Sequence, residues 1–245
     1  MTRRTHPAPR LDPDIAQLAG ALADPSRIAM LDALLDGSAR PIGALARRAG
    51  ISAATASGHL RRLVDHQLVV VDRDGPTRRV RLAGPAVAEL LESIAAHAHA
   101  VPAASAAPGA PPRTAAATTA ARELRFARTC YDHLAGVVGV GVTRALLARR
   151  WLRTAGDGFT AAPALLGWLA DHGRGLADEP RSRRPLVRAC LDWSERTPHV
   201  AGRVGAAIAD LALARQWVVR VRDSRALRLT GRGRAALAAE LALTL

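Results

Sequence analysis

From Asp24 onward, apolar residues recur at helical spacing. Asp24-Pro25 sets an oxygen acceptor at a cap and proline at the first helical position, and Ile28, Leu31, Leu34 and Leu35 follow on one face. A second helix starts at Pro41, carries Ile42, Leu45, Ala46 and Ala49 on one side and stops at Gly50, which is free to adopt the left-handed conformation of a C-cap. After the connecting Ile51, the Ser52 side chain can cap a third helix whose inward face is Ala56, Leu60, Leu63 and Val64. Two short helices joined by a glycine turn predict a helix-turn-helix. The period then changes. Leu68 to Val71, a polar turn from Asp72 to Pro76, and Arg78 to Leu82 predict a β-hairpin, or wing. A helix from Pro85 to His99, with Val87, Leu90, Leu91 and Ile94 on one side, completes a winged helix.

Residues 101–122 are a Pro/Ala/Thr stretch without a side chain large enough to anchor a core, and they read as a linker. Beyond it the chain repeats itself. Arg128-Thr129-Cys130-Tyr131-Asp132-His133 matches Arg188-Ala189-Cys190-Leu191-Asp192 followed, after six extra residues, by His199. From there the spacing is constant: Gly139 with Gly205, Leu147 with Leu213 and Trp151 with Trp217 are each 66 residues apart. Each copy reads as a helix carrying the cysteine, a glycine turn, a longer helix ending near Trp, and a hairpin. The predicted class is mainly α with small β-hairpin wings (α+β): a flexible N-terminus (1–13), a winged helix-turn-helix (14–100), the linker (101–122), and a sensing or dimerisation domain (123–245) of two winged-helix-like repeats, about 124–176 and 184–245.

Composition sharpens this division. All seven aromatic residues lie at or after Phe126, so the second half is packed separately from the first. The 35 basic residues are all arginine, and the formal charge is +14. The first 100 residues hold 13 Arg against 10 acids and the remainder 22 against 11, so the basic surplus is greatest outside the part expected to bind DNA. Two cysteines in 245 residues exclude a disulfide scaffold, and the longest apolar run, Leu134 to Val142, is far short of the ~20 residues that span a bilayer. Met1 to Arg10 lacks the apolar core of a secretory leader, so a cytoplasmic, nucleoid-associated protein without membrane partners is expected.

Residues 14–97 resemble the ArsR/SmtB family of bacterial winged-helix repressors through Ala21-Leu22-Ala23-Asp24-Pro25-Ser26-Arg27, through Ile51 to Leu63, and through the hairpin after Leu68. The resemblance implies a homodimeric repressor that leaves double-stranded DNA when a metal ion or other small effector arrives. On the third helix, Ser52, Thr55, Ser57 and His59 are candidates to read base edges, with packing against the preceding helix as the alternative for His59. Arg61, Arg62, Arg73, Arg78, Arg79 and Arg81 are candidates for phosphate or minor-groove contacts. The helix departs from the family in carrying Ala53, Ala54 and Gly58 where longer polar side chains are common, which shifts specificity toward DNA shape.

In the repeats, Cys130 and His133 stand one helical turn apart, and Cys190 with His199 supplies a matching pair, a Cys2His2 set suited to a thiophilic divalent ion such as Zn, Cd or Pb. The plainer reading makes both cysteines small core residues and Arg128–Asp132 and Arg188–Asp192 helical i, i+4 ion pairs. A Cys130–Cys190 disulfide is a third reading, and Glu89, Glu92, His97 and His99 form a further candidate site between subunits. Neither a P-loop nor a nucleophile elbow occurs, so the expected function is regulation and not catalysis. The rivals are an enzyme that uses the winged helix for docking and a protein that coats DNA nonspecifically.

Overall fold

The computed structural model describes residues 13–74, 77–100, 115–176 and 184–245. The expected flexible N-terminus, most of the linker, and the side chains of Arg73 and His99 fall outside the described residues. The chain forms two compact units, one from Met1–Leu34 and Ser38–Gly84, the other from Leu35–Gly37 and Pro85–Leu245.

The first unit runs α1 (Pro13–Leu22), α2 (Pro25–Asp32), β1 (Arg40–Pro41), α3 (Ile42–Ala49), α4 (Ala53–Asp65), β2 (Val69–Asp74) and β3 (Thr77–Leu82). Local chemistry sets its boundaries. Asp24 Oδ1 accepts the Arg27 N–H at 3.0 Å to cap α2, Gly50 closes α3 at φ 66°, and Ser52 Oγ accepts the Thr55 N–H at 3.1 Å to open α4. The wing pairs β2 with β3 in antiparallel register, Val71 opposite Val80, and β1 adds a short third strand in the order β1-β3-β2. Met30, Leu31, Leu45, Ala56, Leu63, Leu68, Val69, Val80 and Leu82 are buried. Three details depart from the helical spacing, the first being that Ile28, expected on the face of Leu31, is 41% exposed. The second helix ends at Asp32, so Leu34 is buried from the turn beyond it, and Val64, expected inward, is 39% exposed.

The second unit begins with α5 (Pro85–Ala100), so the boundary falls before this helix and not after it. Helix α6 (Ala115–Phe126) occupies part of the stretch read as linker, where the alanine run favours helix once it has something to pack against. Then come two copies of one ββαββα motif: β4 (Arg128–Cys130), β5 (His133–Ala135), α7 (Gly136–Ala148), β6 (Leu152–Ala155), β7 (Gly158–Ala161) and α8 (Pro163–Asp171), followed by β8 (Arg188–Leu191), β9 (Pro198–Ala201), α9 (Gly202–Ala214), β10 (Val218–Arg220), β11 (Leu227–Leu229) and α10 (Gly231–Leu241).

The cysteines therefore sit on strands, not on the helices that their spacing suggested. Tyr131 and Asp132 form a two-residue turn, with Tyr131 at φ 62°, that folds β5 back on β4 and sets Cys130 opposite His133. The second hairpin carries the longer turn and pairs Cys190 with His199. Each motif turns from its hairpin into its long helix at a glycine of positive φ, Gly136 at 76° and Gly202 at 79°, and a Cβ on Gly202 would lie 2.8 Å from the Pro185 carbonyl oxygen. The copies share a single core: Leu134, Val138, Val142 and Leu146 of the first pack with Val200, Val204, Ile208 and Leu211 of the second, and Trp168 and Trp217 belong to the same cluster. Leu35 joins this unit by accepting the Tyr131 N–H at 2.6 Å.

Candidate functional site

In the first unit the side chains on the third helix sort into those held by the fold and those left outward. Thr55 Oγ1 and Ser52 Oγ lie 2.9 Å apart within the cap, and Ser57 Oγ donates to the Ala53 carbonyl at 2.8 Å, one turn back on its own helix. All three remain exposed. His59 turns inward: its Nδ1 is 3.2 Å from Arg27 Nη1 and its Nε2 3.9 Å from Asp24 Oδ1. These contacts are with α2 and its cap, not with the preceding helix α3 that the packing alternative named.

Arg27 explains the motif before it. Nearly buried, it donates from Nε to the Ala21 carbonyl at 2.5 Å and from Nη2 to the Gly20 carbonyl at 3.0 Å, satisfying the end of α1 while its guanidinium meets His59 of α4. The Arg27 backbone N–H bonded to Asp24 also holds that carboxyl below its ordinary range. Among the arginines, Arg61, Arg62 and Arg78 are exposed. Arg79 donates to the Ala39 carbonyl at 3.3 Å, and Arg81 is paired with Asp72 at 2.5 Å, so each is partly committed within the wing.

In the second unit the two cysteine hairpins bring Cys130, His133, Cys190 and His199 together, with their potential ligand atoms all within 4.8 Å of one another and all four residues buried. The Sγ atoms are 3.7 Å apart and the imidazole centroids 5.0 Å apart. Each imidazole turns Nδ1 toward the aspartate two residues after the cysteine of its own copy: His133 is 3.3 Å from Asp132 and His199 is 3.4 Å from Asp192. Both Nε2 atoms are buried and have no hydrogen-bond partner among the described residues. For His133, a carboxylate hydrogen-bonded to one ring nitrogen with the other bare is how metal-binding histidines are oriented, whereas His199 Nδ1 lies near Asp192 without a hydrogen bond.

The electrostatics agree. Cys190 is the thiol held below its ordinary range, by the hydrogen bond from Cys130 first and then, against burial, by the two imidazoles, whereas Cys130, as the donor, is pushed up. Burial opposes protonation of His133, but Asp132 and Cys190 together outweigh it and raise the imidazole. Burial likewise opposes ionisation of Asp192. The Arg128 charge, the Gly136 amide and the Ser194 hydroxyl overcome it and hold that carboxyl far below the usual carboxylate range.

The arginines of the repeats do not make the i, i+4 pairs that a helix would give. Fully buried Arg128 reaches Asp192 of the other copy at 3.0 Å, and its guanidinium lies 4.5 Å from the Trp193 ring centre. Asp132 is paired with Arg184 at 2.5 Å, and Arg188 with Glu89. Glu92 is buried against Arg225. Both acids of the expected second site are thus committed to arginines within this unit. Sequence reasoning named Glu92 and Arg27 but missed their long-range contacts, Glu92 with Arg225 133 residues away and Arg27 with His59 32 residues away.

Residues 22–72 match the family described as helix-turn-helix domain. Over 226 residues the chain is 35% identical to the HTH-type transcriptional regulator YdfF of Bacillus subtilis (strain 168), covering 92% of this chain and 96% of that one. The chain is also similar to the solved homodimeric winged helix-turn-helix DNA-binding domain (fragment 1-100) of Mb0332 from Mycobacterium bovis, a possible ArsR-family regulator: 32% identity, 40% of this chain, 90% of the other, TM-score 0.34. A similar likeness holds to the cadmium metal-sensor CMTR of Mycobacterium tuberculosis, with 40% identity, 32% of this chain, 81% of the other and a TM-score of 0.29.

Proposed function

The chain belongs to the family of HTH-type transcriptional regulators, and from that premise we propose that it is a homodimeric, ArsR-type repressor that leaves its operator when a thiophilic divalent ion binds the C-terminal repeats. The observation that carries the sensing half of this reading is the convergence of Cys130, His133, Cys190 and His199 from two copies of one motif. Two sulfurs bound at ~2.3 Å to one tetrahedral ion stand roughly 3.8 Å apart, and the sulfurs here are 3.7 Å apart. A disulfide needs ~2.05 Å, so the separation favours two ligands over a bond.

Because one cysteine and one histidine come from each copy, a bound ion would tie the hairpins together. An ion acts on DNA affinity only through a difference in its affinity for two arrangements of the protein, about 1–3 kcal/mol in regulated systems. In the first unit, Arg61, Arg62 and Arg78 supply outward charge for phosphates, and Ser52, Thr55 and Ser57 line the start of α4. Few long polar groups face outward on α4, which favours recognition through DNA shape. The dimer part of the proposal rests on the resemblance to ArsR-type repressors, since α1 leaves Ile15 as the one exposed large apolar side chain among its described residues, beside polar Asp14 and Gln17. No described helix is long and apolar enough to cross a membrane, and we place the regulator in the cytoplasm with the nucleoid.

Titration with zinc, cadmium or lead, followed by Trp fluorescence, tests the reading, because every Trp lies in the second unit and Trp193 adjoins Asp192. Saturation at one ion per chain, lost in Cys130→Ser and in Cys190→Ser, is expected. No binding by the unaltered chain would retire the metal. A preference of ~10³-fold or more for the protein's own promoter over random duplex separates a regulator from a coating protein.

A further inference from the structure

We infer that Glu89 and Glu92 of α5 are the positioning residues through which the state of the Cys2His2 centre reaches the winged helix, an inference that rests on the metal reading above. The chain leaves the wing at Leu82 and enters α5 at Pro85, so α5 is covalently next to the wing. Glu89 and Glu92 are i, i+3 on that helix and share a face. Glu89 is ion-paired to Arg188, the first residue of β8. Glu92, only 1% exposed, is ion-paired to Arg225 and lies 3.9 Å from Arg128, the first residue of β4.

Arg128 and Arg188 are the same position in the two copies, each two residues before its cysteine. Residues two apart on a strand face the same side, so each arginine stands beside a sulfur ligand. One helix therefore grips both strands that supply the cysteines, one acid to each. Its face also borders the ligands directly: a cavity of about 270 Å³ is lined by Pro85, Ala88 and Glu89 together with Cys130, His133 and Cys190.

The grip on β4 is incompletely closed. Glu92 Oε2 has no hydrogen-bond partner among the described residues, and 3.9 Å from Arg128 Nη2 is an ion pair but not a hydrogen bond. A shift of β4 toward β8 changes whether that carboxylate oxygen is satisfied. Inside a protein a polar network that is either closed or open has two distinct arrangements, which is what coupling between sites requires. Arg128 also holds Asp192, which backs His199, so the ligand set and the α5 contact share one guanidinium.

The test uses the full-length chain with and without zinc on a duplex carrying its own promoter. Zinc affinity and promoter affinity are measured for the unaltered protein, Glu89→Gln, Glu92→Gln and Arg188→Gln. Regulated proteins change affinity by roughly 5- to 150-fold on effector binding. The expected result is a zinc response in the unaltered chain that falls to under about 2-fold in Glu92→Gln and is reduced in Glu89→Gln, while zinc affinity stays within about 3-fold. Arg188→Gln reproduces the Glu89→Gln deficit, and combining the two adds nothing. A purely structural pair would lower stability and leave the ratio of promoter affinities unmoved. If Glu92→Gln fails to fold, Glu89 and Arg188 decide, since the Glu89 side chain is 41% exposed and tolerates the change. Variants that bind zinc and respond like the unaltered protein overturn the inference and leave the metal reading standing. An unaltered chain that binds no zinc, or binds it without response, overturns both.

Discussion

The two copies of the ββαββα motif put equivalent aspartates to different use. Asp192 in the second copy is fully buried and accepts from Arg128 at 3.0 Å, from the Gly136 amide at 2.6 Å and from Ser194, so it joins the copies and holds the start of α7. Asp132 in the first copy is partly exposed, lies beside the cavity and pairs with Arg184 while backing His133. Duplication brought together a symmetric Cys2His2 cluster, and divergence buried the aspartate of one half and left that of the other partly exposed. In the proposed sensor, the buried half would fix where an ion sits and the partly exposed half would be free to adjust to it.

The largest effect that can break the comparison is on stability. Removing the Asp192 charge leaves buried Arg128 with only the more distant Glu92 carboxylate at 3.9 Å, and breaking a buried pair costs about 3–5 kcal/mol. Asp192→Asn is expected to show that loss in urea unfolding followed by Trp fluorescence, whereas Asp132→Asn, at a partly exposed pair, costs ~1 kcal/mol or less. Equal losses would abolish the distinction between anchor and adaptable half.

Next in size is metal affinity. Asp132 is hydrogen-bonded to the His133 imidazole, and loss of such a partner lowers affinity by roughly 10–100-fold. Asp132→Asn is expected to show this with the fold intact, measured by competition with a chromophoric chelator. An unchanged affinity would mean that Asp132 does not hold His133 for an ion.

Acid provides a third probe. Both carboxyls are held below their ordinary values in the folded chain, so they contribute stability above about pH 4, the unfolded value for Asp. That stability is lost as pH falls through the lower, folded values. In acid titrations the second unit is expected to unfold on a slope that is shallower in Asp192→Asn. A slope that is the same in both proteins contradicts the assignment.

The smallest effect lies outside both copies. Arg61→Ala or Arg78→Ala is expected to reduce the salt dependence of DNA binding by about one unit of slope each and to leave zinc affinity unchanged. His59→Ala, by contrast, is expected to lower stability without relaxing sequence preference, because His59 meets Arg27 and Asp24.

Much of this was legible before any coordinates. Gly50 and Ser52 act within a few residues and the structure keeps both boundaries, whereas β2 runs on through Asp74, so Asp72 to Asp74 of the expected turn belong to the strand. The ligand set was legible because the duplication aligns the cysteines. The hairpin was not, because a Cys and a His three residues apart suit one helix face and a two-residue turn equally well. Arg128 with Asp192, and Glu92 with Arg225, are 64 and 133 residues apart, beyond the reach of any local periodicity. Helix α1 escaped because its residues are largely exposed and show no inward stripe.

The most direct test of the central claim is the visible spectrum of the full-length chain titrated with cobalt(II). Two thiolates and two imidazoles around one ion predict intense tetrahedral d–d bands and sulfur charge transfer that saturate at one equivalent per chain, with zinc displacing the cobalt. A pale six-coordinate spectrum, or the same spectrum from Cys130→Ser and Cys190→Ser, would contradict it.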